Sequence, residues 1–131
     1  MSEFGPGHTS ANRLQGACDD LKRVVMKAYS ISRVDFSVIE TIRSEEQQRK
    51  NIEAGVSWTM DSDHLRLHPD GSGVCAVDLY PWVDGKTSHA EEDYRLLARA
   101  MFDAAQVEGV HLKWGGFWNG KQNDKPHWYL T

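Results

Sequence analysis

The amino-acid sequence predicts an α+β fold in which helices flank a small antiparallel sheet. Helical and strand-like segments follow one another in the order helix, strand, helix, strand, helix, strand, strand. This order lacks the regular βαβ alternation of a parallel sheet. A chain of 131 residues, 40% of them hydrophobic, has the length of one domain and can bury a core without disulfides. We therefore expect one domain over residues 1–131, with a mobile N-terminal arm over residues 1–9.

Three segments carry the apolar spacing of amphipathic helices. The first begins at Leu14 and is expected to end near residues 29–32. The second, over 44–54, and the third, after Ser88, each open on a capping-box pattern, in which a serine and a Glu or Gln three residues later satisfy each other's helix end. The third helix is expected to end at Gly109, because glycine readily adopts the conformation that terminates a helix.

Four segments are expected to be strands. They are short and rich in β-branched or aromatic residues, and turn residues flank most of them. The second of them should stop at Pro81, which cannot donate a backbone hydrogen bond. The four segments are 34–42, 75–82, 110–114 and 127–130.

Composition and charge exclude several classes of function. The chain has 15 Lys and Arg against 19 Asp and Glu, a net charge of −4, so we expect no nucleic-acid partner. No apolar run is long enough to enter a membrane, and residues 1–13 lack the features of a signal peptide. The two cysteines, Cys18 and Cys75, form neither a disulfide framework nor a CxxC zinc motif, and they are expected to be free thiols.

Two histidines and a carboxylate are the strongest candidates for chemistry. His64, Asp78 and His127 can supply three zinc ligands and leave a fourth position for water, as in catalytic zinc sites. Asp124 precedes His127 by three residues. Strand alternation turns Asp78 and His127 away from their apolar neighbours. The residues alone leave another interpretation open, in which both histidines are hydrogen-bonded surface groups and Asp78 accepts from a turn.

A run of six short motifs resembles the zinc peptidases of bacterial cell walls. This family comprises D-alanyl-D-alanine carboxypeptidases and L-alanyl-D-glutamate endopeptidases, and it includes many phage endolysins. The motifs occur in the family's order and are spread over about three quarters of the chain. They are TIRSEEQQ at 41–48, NIEAGVSWT at 51–59, SDHL at 62–65, AVDLYP at 76–81, WGGFW at 114–118 and PHWYL at 126–130.

The resemblance implies a Hedgehog/DD-peptidase-like fold and a role for each matching residue. His64, Asp78 and His127 correspond to the Zn²⁺ ligands. Asp124 corresponds to the acid that transfers protons, and Arg43 to the arginine that stabilises the oxyanion and holds substrate.

Three further residues are expected to contact the substrate. Gln47 and Ser62 occupy positions that the family associates with the cleft, although Gln47 also completes the predicted capping box. Trp114 is expected to line the cleft, whereas Trp128 is better explained as a residue of the hydrophobic core.

The sequence also departs from the family's pattern. Thirteen residues separate His64 from Asp78, more than is usual, so His68 is an alternative first ligand. We prefer His64 because Ser62 and Leu65 flank it as in the family. Phe117 stands where related enzymes often carry Asp, which leaves the peptide specificity open.

The activity implied by the resemblance is zinc-dependent cleavage of the peptide stem of peptidoglycan, at an L-alanyl-D-glutamate bond, by a phage lytic enzyme. The alternatives are a D-alanyl-D-alanine carboxypeptidase and a non-catalytic wall-binding module of the same fold. We expect a monomer that stays in the host cytoplasm until it is released to the cell wall.

Overall fold

The computed structural model describes residues 4–41, 68–120 and 123–130, and within these ranges it is an α+β protein. The helices of this part are α1 (His8–Leu14), α2 (Asp19–Ile31) and α3 (Glu91–Glu108). The strands are β1 (Asp35–Glu40), β2 (Ala76–Val83), β3 (Lys86–Thr87), β4 (Leu112–Trp114) and β5 (His127–Leu130), and a 3-10 helix (Gly115–Phe117) follows β4.

The strands form one antiparallel sheet in the order β1-β2-β5-β4, with β3 paired to the far end of β2. The central strand β2 is therefore hydrogen-bonded on both sides. Its first half lies against β5, where Asp78 is opposite His127. The pairing brings together two side chains that are 49 positions apart in the sequence.

One face of the sheet packs against α2 and α3 and forms the core. Val77 and Leu79 of β2 and Trp128 of β5 are fully buried there. The predicted apolar stripe of the third helix is confirmed, since all five of its members are buried: Tyr94, Leu97, Ala98, Met101 and Ala105. That helix also ends where predicted, with Gly109 in the left-handed conformation at φ 68°. Because strand side chains alternate, the residues between the core positions face away from the helices.

The first helix differs from the prediction, because the structure breaks it into α1 and α2. The backbone between them turns aside to bond a distant segment: Cys18 N–H donates to the Val74 carbonyl at 3.0 Å, and Val74 N–H donates to the Gly16 carbonyl at 2.9 Å. A continuous helix would use these groups internally. In addition, α1 begins at His8, inside the arm predicted over residues 1–9.

Two predicted boundaries around β2 are also wrong. The strand does not stop at Pro81 but continues to Val83, and the Pro81 carbonyl accepts from Ser88 N–H at 2.8 Å. In an antiparallel strand the nitrogen and carbonyl of one residue face the same side, so the missing donor of Pro81 does not weaken the pairing with β1. Ser88 forms no capping box, since its hydroxyl donates to Asp93 Oδ2 at 2.5 Å.

The predicted helix over 44–54 lies outside the described residues. The prediction of free thiols is confirmed for Cys18 and Cys75, both of which are buried. None of the helices in the described ranges combines the length and the apolar character that crossing a membrane requires.

Candidate metal and active site

Asp78 and His127 meet on the sheet face that points away from the helices. Asp78 Oδ1 lies 3.1 Å from His127 Nδ1, and their side chains are 18% and 7% exposed. Both sit in paired segments of β2 and β5, whose neighbouring side chains Val77 and Trp128 are fixed in the core. Backbone pairing and core packing therefore hold the carboxylate and the imidazole at a set distance.

The separation of the two atoms suits two ligands of one zinc ion. Zinc bonds to N and O of about 2.0–2.2 Å, at a tetrahedral angle, put two ligand atoms roughly 3.3–3.5 Å apart. The observed 3.1 Å is close to this range, and both groups are of the types that zinc prefers. Across residues 4–41, 68–120 and 123–130, no three His, Cys, Asp or Glu side chains gather into a metal-binding group. A third ligand for this pair would have to come from elsewhere in the chain, and the predicted ligand His64 lies outside these ranges.

Asp124 is held beside His127 by its backbone. Asp124 N–H donates to the Gly115 carbonyl at 3.0 Å, and His127 N–H donates to the Asp124 carbonyl at 3.1 Å. The approach is so close that a Cβ on Gly115 would lie 2.5 Å from the Asp124 carbonyl oxygen and 3.1 Å from His127 Cβ. Gly115 thus permits the contact between the 3-10 helix and the segment that carries Asp124. The sequence shows Gly115 and Gly116 side by side, but it does not show that Asp124 is the contact that requires a glycine at position 115.

Two aromatic rings lie next to the imidazole of His127. The ring of Tyr129 stacks on it at a centroid distance of 5.3 Å, and the ring of Trp118 lies at 5.3 Å. Trp118 Nε1 donates to the Tyr129 hydroxyl at 3.2 Å, which couples the two rings. Strand alternation places Tyr129, two residues after His127, on the same face of the sheet. The contribution of Trp118, from the loop after β4, had no periodic signal.

Two tyrosines lie in the electrostatic field of the carboxylates. Burial raises the pKa of Tyr94 to about 12, and the charges of Tyr80, Asp124 and Asp78 add to the effect. Burial likewise raises the pKa of Tyr80, with further contributions from Asp78 and Asp124. Both phenols therefore remain protonated at neutral pH, next to a site that carries negative charge.

The alternative first ligand His68 occupies a different environment. Its Nδ1 lies 3.0 Å from Asp70 Oδ1, and its Nε2 lies 3.5 Å from Asp20 Oδ2 at the start of α2. Both ring nitrogens thus face carboxylates other than Asp78. The imidazole is well explained as part of the turn that precedes β2.

The other predicted site residues divide into two groups. Trp114 is described: its indole stacks on Trp128 at 5.2 Å, and its Nε1 donates to the Lys125 carbonyl at 2.7 Å. Trp128 is fully buried, as predicted for a core residue. The remaining predictions lie outside the described residues, and they concern Arg43, Gln47, Ser62 and His64.

Comparisons with known proteins agree on one family. The sequence matches the profile of the family described as phage L-alanyl-D-glutamate peptidase over residues 2–128. The L-alanyl-D-glutamate peptidase of Escherichia phage T5 is 28% identical over 117 residues, which are 88% of this chain and 82% of that protein. The L-alanyl-D-glutamate peptidase of Listeria phage A118 is 34% identical over 94 residues, 72% of this chain but 30% of its relative.

A solved structure extends the similarity to three dimensions. The crystal structure of the Serratia marcescens L-Ala D-Glu endopeptidase ChiX superposes with a TM-score of 0.83 at 36% identity. The match covers 98% of this chain and 92% of the other. The α+β fold predicted from the sequence is thereby confirmed, and so is the resemblance to cell-wall peptidases.

Proposed function

The chain belongs to the phage L-alanyl-D-glutamate peptidase family, and on this premise we propose that it cleaves the L-alanyl-D-glutamate bond of the peptidoglycan stem with the help of zinc. Membership of the family makes it a peptidoglycan hydrolase. The zinc dependence and the assignment of residues are the proposal. The observation that carries it is the approach of Asp78 Oδ1 and His127 Nδ1 to 3.1 Å on the sheet face that points away from α2 and α3.

The proposed ligands are His64, Asp78 and His127. Asp78 and His127 have the ligand types that zinc prefers, and their hydrogen-bonding distance of 3.1 Å is close to the separation of two ligands of a tetrahedral zinc. His64 is preferred to His68 as the third, because the two ring nitrogens of His68 face Asp20 and Asp70. A site with three protein ligands leaves a position for water or substrate, which is the arrangement of catalytic zinc.

The proposed chemistry divides the work between the metal and two side chains. Zinc, when bound, supplies Lewis acidity toward the scissile carbonyl and lowers the pKa of water from 15.7 to about 7. Asp124 accepts a proton from the attacking water and delivers it to the leaving amine. This general acid–base step contributes roughly 10²- to 10⁴-fold. Arg43 is proposed to stabilise the negative charge that develops on the carbonyl oxygen, which its permanently charged guanidinium suits.

Three residues are proposed to bind the stem peptide. Gln47 and Ser62 are assigned to the cleft on the sequence motifs alone. Trp114 is assigned to the wall of the cleft, and its ring stacks on Trp128, the neighbour of His127 in β5. The anionic stem requires local cations such as Arg43, because the chain as a whole carries a net charge of −4.

The organisation of the protein in the cell is also a proposal. The family match over residues 2–128 and the coverage of ChiX support a single domain, which includes α1 (His8–Leu14). We propose that this domain acts as a monomer. The phage origin of the relatives supports synthesis in the host cytoplasm, followed by release to the wall.

The test is metal analysis combined with cleavage of defined peptides. The purified protein should contain one zinc per chain, and chelation should abolish cleavage of an L-alanyl-D-glutamate peptide until zinc is restored. Asp78→Ala and His127→Ala should lose the metal, whereas Asp103→Ala, a control carboxylate exposed on α3, should keep it. Full cleavage by the metal-free protein would refute the zinc proposal. Release of only a terminal D-alanine would instead identify a carboxypeptidase.

A further inference from the structure

An aromatic groove of about 230 Å³ runs beside β4 and the 3-10 helix. Leu112 and Lys113 of β4 contribute to it, and the rest of its lining is aromatic. These rings come from α3, the end of β4, the 3-10 helix, the loop that follows it and β5, and they are Phe102, Trp114, Phe117, Trp118 and Tyr129. The volume is below the usual range for drug-sized ligands, so it suits one ring rather than a chain.

Two rings of the groove also contact the proposed active site. Its ring Trp118 lies 5.3 Å from the imidazole of His127, and its ring Tyr129 stacks on the same imidazole. The bond from Trp118 Nε1 to the Tyr129 hydroxyl ties the two rings together. A molecule in the groove would therefore contact Trp118 or Tyr129, the two rings that also contact the proposed metal ligand His127.

Phe117 forms an exposed aromatic rim of the groove. Its side chain is 70% exposed, although it is fixed by Phe102 at a centroid distance of 5.8 Å and by Trp114 at 5.1 Å. A phenyl ring that is both held in place and exposed presents apolar surface to a ligand. Lys113 adds an exposed cation at the edge of the groove, whose surface is otherwise almost entirely apolar.

We propose that this groove binds a sugar of the glycan strand from which the stem peptide extends. The inference rests on the proposed substrate. In peptidoglycan the stem begins with L-alanine, which is joined through a lactyl group to the sugar. The bond after that alanine is the one cleaved, and two extended residues span at most about 7 Å. The sugar must therefore lie close to His127, where the groove is.

The chemistry of the groove fits a sugar. A pyranose ring has apolar faces of C–H groups and a polar edge of hydroxyls. The C–H groups are attracted to the electron-rich faces of aromatic rings. The hydroxyls can meet the Lys113 ammonium and the Tyr129 hydroxyl at the edge of the groove.

The test compares two substrates that differ only in the sugar. One is an L-alanyl-D-glutamate stem peptide, and the other is the same peptide linked to its disaccharide. The wild-type kcat/KM should be at least about tenfold higher for the glycopeptide, as expected when a sugar covers the exposed part of one phenyl ring. Phe117→Ala should lower the glycopeptide-to-peptide ratio about tenfold, and Phe117→Trp should preserve it.

Val107→Ala is the matched control, because Val107 is 63% exposed on α3 but does not line the groove. It should leave the ratio unchanged. A ratio that Phe117→Ala does not alter would overturn the proposal. Equal losses on both substrates would assign the groove to a peptide side chain, and loss of a wild-type dimer in Phe117→Ala would assign it to a second copy of the chain. Either result would also overturn it.

Binding of N,N′-diacetylchitobiose, followed by tryptophan fluorescence, separates this proposal from the proposed function. If wild type cleaves neither substrate, the proposed function fails. Binding of the disaccharide by wild type and its loss in Phe117→Ala would still support the groove. No binding by wild type, together with equal cleavage of both substrates, would refute it.

Discussion

Gly115 offers the sharpest test of how the fold positions Asp124. Replacing its hydrogen by a methyl group puts a Cβ 2.5 Å from the Asp124 carbonyl oxygen and 3.2 Å from Asp124 Cβ. Both contacts are with the segment that carries the proposed general base. The Gly115 carbonyl also accepts the Asp124 N–H at 3.0 Å, so the two residues cannot move independently.

The expected loss of kcat and of stability follows from how far the Asp124 backbone must move to relieve the clash. Ordinary contacts begin at 3.4 Å, so the Asp124 backbone has to move by about 0.9 Å. A displacement of about 1 Å in a reacting group costs roughly 10²-fold in rate. Overpacking of this kind also destabilises a fold by about 1–3 kcal/mol. We therefore expect Gly115→Ala to lower kcat about 10²-fold and to lower the melting temperature by several degrees.

The assay measures kcat on a stem peptide well below the melting temperature, together with zinc content. Gly5→Ala is the control, since a Cβ at Gly5 meets no atom within 4 Å. The new methyl group would also lie 3.1 Å from His127 Cβ, but this contact needs a shift of only about 0.3 Å to reach 3.4 Å. Zinc should therefore stay bound in Gly115→Ala, because strand pairing holds Asp78 and His127. Wild-type kcat in a variant that is measurably destabilised would refute the reasoning, because the clash would then have been relieved without moving Asp124.

Four further outcomes are expected. Asp124→Asn should keep its zinc while cleavage falls by roughly 10²- to 10⁴-fold at every pH, and unchanged turnover would remove the carboxylate from the reaction. Arg43→Ala should lower kcat by about 10²-fold or more at an unchanged melting temperature, whereas a matching loss of stability would indicate a structural role. His64→Ala should lose zinc in metal analysis and His68→Ala should keep it, and the reverse result would exchange their assignments. Because the pKa of Tyr94 is raised to about 12, its ionisation opposes folding as pH rises from the unfolded value of about 10. In denaturant unfolding between pH 10 and 12, Tyr94→Phe should therefore lose up to about 2–3 kcal/mol less stability than wild type, and identical losses would show that Tyr94 does not titrate in this way.

The faces of the strands could be predicted from the sequence because alternation in a strand is strictly local. Period two alone turns Asp78 away from Val77, and His127 away from Trp128. The register that sets Asp78 opposite His127 is not local, since it depends on how two distant segments align in the sheet. The resemblance to a family supplied that pairing, and the periodicity did not.

The break between α1 and α2 shows why a helical period can mislead. The apolar series from Leu14 to Ala28 continues across the break because both helices bury one side against the same core. What interrupts the helix is a pair of backbone hydrogen bonds to Val74, more than 50 positions away. Such a partner leaves no periodic trace near the break. Ser88 fails as a cap for a local reason, since the helix begins only after Ala90 and the Ser88 hydroxyl bonds Asp93.

The elements of the proposed site depend on the fold in different ways. Asp78 and His127 sit on paired strands with a buried core face, so changes to the core should disturb them only when the whole domain loses stability. Asp124 sits in a loop whose position relies on the contact with Gly115. Substitutions in that loop should therefore separate proton transfer from metal binding. A glycine at this contact allows the loop to bring Asp124 next to His127 without extending the sheet, which would turn alternate side chains away from the site.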